Sequence, residues 1–169
     1  MALPDPQPGM VIRYAYLWHD EHRKGQEEGI KDRPCAIVLA VKRDGQDNPR
    51  VMVAPITHTP PQNPRDAIEI PQKVGEAMGL DHEKSWIVTR EINAFTWPGP
   101  DIRNAGKDRF AFGRLPHKLA EQVRQGIMER VQSRSLQSVE RDEASPVDPR
   151  LKRPDNGRNR SRGDGDQGL

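Results

Sequence analysis

The chain has 169 residues, of which 33% are hydrophobic and 31% charged, with a mean hydropathy of −0.90. That length suits one domain, but the polarity is too high for every residue to pack into it, so a compact domain plus a disordered part is expected. A formal net charge of +2 gives no sign of a broadly basic nucleic-acid binder and leaves that task to a local patch.

The opening "MALPDPQPGM" lacks the basic and then apolar regions of a secretory leader. No apolar run is long enough to span a membrane. The single cysteine, Cys35, rules out a disulfide within the chain. A cytoplasmic, reducing setting is therefore expected. Cys35 sits inside an apolar run and reads as a small core residue rather than a nucleophile.

In chain order, "GMVIRYAYLW" (9–18) is rich in β-branched and aromatic residues and reads as a first strand. Residues 19–32, "HDEHRKGQEEGIKD", have no apolar period and read as a long polar loop. A second strand is expected at 35–41 and a third at 51–56, joined by a turn whose strongest signal is Asp44-Gly45. Prolines 60, 61 and 64 then break the strand pattern. Short strands follow at 67–70, 85–92 and 109–115, with a helix expected over 71–80. "WPGPDIR" (97–103) is an insertion-like loop whose Trp97 is either buried as a pin or presented to stack a base.

After Pro116 the residues Leu119, Val123, Ile127 and Val131 recur every four positions and predict a helix to about 132. From Ser133 the chain is poor in large apolar residues and reads as a disordered, mixed-charge tail, with Arg158 to Arg162 its most basic stretch. The expected organisation is a mainly β domain over 1–132, a small barrel with a C-terminal helix, and a tail over 133–169.

Two of these strands carry polar tips. Arg33 precedes the second and Thr57 follows the third, with His58 and Thr59 next to it. If the two strands form an antiparallel hairpin, the start of one lies beside the end of the other, and Arg33 and Thr57 meet at one end of the sheet. A guanidinium fork matches phosphate oxygens, a hydroxyl donates to the same group and an imidazole exchanges protons near neutral pH. The plainer alternatives are an Arg33–Asp32 ion pair and a Thr57 hydroxyl that caps its own turn.

The ordered set "PGMVIRY", "RPCAIVL" and "VMVAPIT" resembles the MazF/PemK family of toxin–antitoxin systems, mainly over residues 8–59. The resemblance implies an SH3-like β-barrel with a C-terminal helix, a homodimer, and a metal-independent endoribonuclease with no cofactor. Single-stranded RNA would be cut by attack of its own 2′-hydroxyl, and a cognate antitoxin protein would cover the site. Arg33 would be the catalytic arginine and Thr57 the hydroxyl that stabilises developing charge. The loop over 19–32 would meet RNA or antitoxin, with Arg23, Lys24 and Lys31 as RNA contacts, joined by Thr59 and Arg90. Where some family members have an acidic residue and an arginine in a later strand, this chain reads "TREIN" (89–93), and His58 is expected to supply the missing acid or base. The competing readings are a non-catalytic SH3-like module that binds nucleic acid or protein, and an adaptor working through "PITHTPP" and the tail.

Overall fold

Strand-forming residues bounded by Gly, Pro and Asp dominate the first hundred positions, and the computed structural model is accordingly mainly β. It describes residues 4–23, 32–42, 45, 48–80 and 83–141. Among these are nine strands: β1 (Met10–Tyr14), β2 (Arg33–Val41), β3 (Arg50–Thr57), β4 (Ala67–Glu69), β5 (Trp86–Val88), β6 (Glu91–Thr96), β7 (Ile102–Arg103), β8 (Ala111–Arg114) and β9 (Gln137–Glu140). Three α-helices accompany them: α1 (His19–Arg23), α2 (Gln72–Ala77) and α3 (His117–Gln132). No helix is long and apolar enough to cross a membrane among the described residues.

The central hairpin pairs β2 with β3 in the register Cys35↔Pro55, Ala36↔Ala54 and Ile37↔Val53, with a shift before Leu39↔Met52. β1 lies antiparallel on the other edge of β2. The sheet forks twice. β3 gives its first half to β6 and its last two residues to β5, and Pro55, which has no N–H to donate, sits in the gap between those ladders. β1 likewise divides between β7 and β8. The strand ladder does not close: among the described residues β9 has only β6 as a strand partner, and β7 and β8 have only β1. The expected small barrel is thus left open among the described residues, as a forked sheet.

The runs "CAIVLA" and "VMVAPI" are continuous rather than alternating because both faces of the hairpin are covered. One face carries Ala36, Val38, Ala54 and Ile56 against Leu119, Val123 and Ile127 of α3. The other carries Cys35, Ile37, Val51 and Val53 against Tyr14, Phe95 and Trp97. The four-residue stripe of α3 ends at Ile127, since Val131 is exposed. Gly126 lets α3 approach the chain between β5 and β6 closely: a Cβ there would stand 3.3 Å from Thr89 Cγ2.

Three expectations change and one open alternative is decided. The loop over 19–32 begins with the short helix α1. The single strand over 85–92 is two, interrupted at Thr89–Arg90 where the sheet forks. Trp97 is the buried pin rather than a presented ring: it packs with Phe95 and Phe110, and its Nε1–H donates to the Pro4 carbonyl at 3.1 Å. Residues 137–141 belong to the folded domain instead of the tail. β9 runs parallel to β6, and Val139 and Arg141 are both 1% exposed. The tail beyond Arg141, with Arg158 to Arg162, lies outside the described residues.

Candidate functional site

The fork in the sheet opens a cleft of about 520 Å³ at the end of β3. Thr57 and Thr59 line it from β3 and the turn beyond, Val88 from β5, Arg90 and Glu91 from the start of β6, and Trp18 from the exit of the β1 segment. Its position follows from topology. The chain leaves β5 at Val88 and rejoins the sheet at Glu91 on the other half of β3, so no strand among the described residues fills the angle between the two branches.

The β2–β3 ladder runs as far as Cys35↔Pro55, with Arg33 two residues before it on β2 and Thr57 two residues after it on β3; Arg33 pairs with Tyr14 on β1 and Thr57 with Trp86 on β5. The hairpin therefore brings the two polar tips to one end of the sheet. Asp32 is not Arg33's partner, since it lies between Arg13 at 3.8 Å and Arg103 at 3.9 Å. The Arg33 guanidinium instead sits over the Trp18 ring, 5.0 Å from its centroid, an attraction of charge to the ring face. Its Nε–H is buried with no acceptor among the described residues, which leaves a charged donor unsatisfied. The Thr57 Oγ1 accepts the Thr59 N–H at 3.2 Å, a local turn cap. A hydroxyl that accepts this bond still has its own proton to donate into the cleft.

Of the three expected catalytic residues only Thr57 lines the cleft; Arg33 and His58 are not among its lining residues. His58 is exposed, and its Nδ1 lies 3.0 Å from the Lys84 carbonyl and 3.3 Å from Ser85 Oγ. A carbonyl only accepts, so Nδ1 carries the proton and the ring serves to tie the β3 turn to the lead-in of β5. Arg90 lines the cleft and pairs with Glu91 at 3.6 Å. Arg23 ends α1, but its side chain, like Lys24 and Lys31, lies outside the described residues.

The sequence reading missed Trp18 and the depth of Glu91. Trp18 looked like one more aromatic in a strand; its place at the last apolar position before "HDEH" was the available signal. Glu91 is 3% exposed. Its Oε1 accepts from the Tyr16 hydroxyl at 3.1 Å and the His19 N–H at 2.9 Å. The cleft lining holds four carboxylates, Asp20, Glu21, Asp66 and Glu91, against the one arginine. Three are already engaged: Glu21 by the Trp18 N–H, Asp66 by Arg130, and Glu91 as above. Asp20 has no partner among the described residues. No three His, Cys, Asp or Glu side chains gather as metal ligands among those residues.

Cys35 is no nucleophile in this setting. Burial drives its thiol far above the ordinary value, and the Arg33 and Arg141 charges oppose that only in part. Burial also raises the Tyr16 phenol, with the Glu91 charge adding to the effect. Both groups keep their protons in the folded chain where the unfolded chain would lose them. Their contribution is thus complete below the ordinary values of about 8.5 for a thiol and about 10 for a phenol, and fades as pH rises past them. The unfolding free energy from urea titrations should fall from about pH 8 upward, approaching about 1.4 kcal/mol per pH unit for each group, and Cys35→Ala should flatten the first part of the fall. A flat profile from about pH 8 to about pH 10 would contradict the burial of Cys35.

Comparison of the chain with protein-family models, with curated proteins and with solved structures returns no match.

Proposed function

We propose that the protein is a metal-independent endoribonuclease of the MazF/PemK kind that cuts single-stranded RNA at this cleft. In this reading the forked sheet is an SH3-like barrel left open at β9, the working unit is a cytoplasmic homodimer, and a small antitoxin covers the cleft. The observation that supports it is that the β2–β3 register puts Arg33 and Thr57 toward the same end of the hairpin, with a buried Arg33 Nε–H that has no acceptor among the described residues.

The chemistry follows from those groups. The Arg33 fork and the Thr57 hydroxyl hold the non-bridging oxygens of the scissile phosphate and stabilise the charge that grows there. The substrate's 2′-oxygen attacks phosphorus and gives up its proton, for which Asp20 is the carboxylate at hand. The bond from phosphorus to the 5′-oxygen breaks, the 5′-oxygen takes up a proton, and the products are a 2′,3′-cyclic phosphate and a 5′-hydroxyl. Trp18 offers its ring to a flanking base, Thr59 and Arg90 contact the strand, and His58 takes no part.

A second reading is favoured by the acid-rich lining, which suits a basic protein segment better than a polyanion. In that case the cleft is a binding module. The deciding experiment incubates purified protein with single-stranded RNA and excess chelator. Cleavage to 5′-hydroxyl ends supports the nuclease. Intact RNA, with capture of a Lys/Arg-rich peptide instead, supports the module and ends the nuclease reading.

A further inference from the structure

The cleft wall that carries Trp18 is not held by its own strand. β1 ends at Tyr14, and residues 15–19 run on without ladder partners. Their backbone is gripped instead by side chains from β6 and by the residue after β9. Ala15 gives its N–H to the Asp101 carbonyl at 3.0 Å, and its carbonyl accepts from Arg141 Nη1 at 2.7 Å. Leu17 is bonded in both directions by Asn93, N–H to Oδ1 at 2.9 Å and Nδ2 to carbonyl at 2.8 Å. His19 gives its N–H to Glu91. Glu91 and Asn93 lie two apart on β6 and so share a face.

Arg141 completes the row. Its Nη1 also donates to Asn93 Oδ1 at 3.2 Å, its Nη2 pairs with the Asp101 carboxylate at 3.2 Å, and its charge lies over the Tyr14 ring. It is placed there by β9, which is seated by buried Val139, the Glu140–Arg50 ion pair and the Arg141 N–H to the Ala94 carbonyl at 2.8 Å. A fully buried arginine with this many partners is costly to place and stiff once placed.

We propose that β9 and Arg141 form a clasp that sets the position of residues 15–19, making Arg141 a positioning residue for the Trp18 wall of the cleft. The inference rests on that cleft being the working site, but its first readout does not. β9 and Arg141 thereby govern a cleft wall, residues 15–19, that lies more than a hundred positions earlier in the chain. A partner or a cut that removed β9 would loosen the site without touching Arg33 or Thr57.

Amide hydrogen exchange in the full chain tests this with Arg141→Lys, whose single ammonium cannot span Ala15, Asn93 and Asp101 together. The milder Asp101→Asn keeps the guanidinium and serves if the lysine variant is unstable. Exchange at Leu17 and His19 should speed up by about tenfold or more, while amides of the β2–β3 ladder keep their rates. RNA cleavage should fall on the order of tenfold to a hundredfold in kcat, as expected when a positioned group drifts by about 1 Å. Unchanged exchange at Leu17 and His19 in both variants overturns the clasp, and so does loosened exchange with cleavage at the parent rate. Loosened exchange in a protein whose parent cuts no RNA upholds the clasp and sinks only the nuclease reading.

Discussion

Arg33→Ala is expected to lower RNA cleavage by about 10²–10³-fold, the usual loss when a preorganised donor to a developing oxyanion is removed. The fold should survive. Arg33 is only partly buried, and its backbone pairs with β1 whatever its side chain. The guanidinium loses its stacking over Trp18, worth roughly 0.5–1 kcal/mol at a partly exposed site. Arg33→Lys should recover little of the activity, because a single ammonium cannot engage two phosphate oxygens in the plane the fork defines. Single-turnover cleavage with chelator present, alongside thermal unfolding, reads both effects. An alanine variant that cuts at the parent rate would remove Arg33 from the chemistry and leave Trp18's neighbour a packing residue.

Much of this site was legible in the sequence, for a local reason. The apolar runs around Cys35 and Val53 are separated by nine residues, so their antiparallel pairing could be read from one stretch. α3 was legible because Leu119, Val123 and Ile127 repeat at the helical period within one segment. What escaped depends on contacts between distant segments. "QSVE" contains one apolar residue, and nothing local marks it as a strand; it becomes one only beside β6. Asn93 and Glu91 look like surface residues in "TREIN" until Leu17, Tyr16 and His19, more than seventy positions earlier, supply their partners. His58 was misjudged because adjacency to Thr57 says nothing about direction: consecutive side chains at a strand end diverge, and this one meets Lys84 and Ser85. The same distance in sequence hid the acid-rich lining, which gathers from α1, the turn before β4 and the start of β6.

The second large effect is expected at Glu91, and it falls on stability. In Glu91→Ala the Tyr16 hydroxyl and the His19 N–H lose their shared acceptor inside a nearly closed space, and Arg90 loses its counter-charge. Arg90's side chain is 43% exposed, so water takes over most of that last loss. The two orphaned donors dominate, at about 1–3 kcal/mol each, for a total near 3 kcal/mol and a melting point lower by roughly 6–12 °C in a domain of this size. Glu91→Gln separates acceptor from charge: its amide oxygen can still receive the tyrosine and the histidine amide, so about 1 kcal/mol is expected. The two variants should also differ at alkaline pH. Without the Glu91 charge, Tyr16 keeps the largest part of its elevation, which burial causes, and loses the part that the charge adds, so in Glu91→Gln the fall in stability above about pH 10 should level off at a lower pH than in the parent. Thermal unfolding of the parent and both variants at neutral and alkaline pH reads all of this. Equal losses for alanine and glutamine would mean that the carboxylate's charge, rather than its lone pairs, holds residues 16–19 in place.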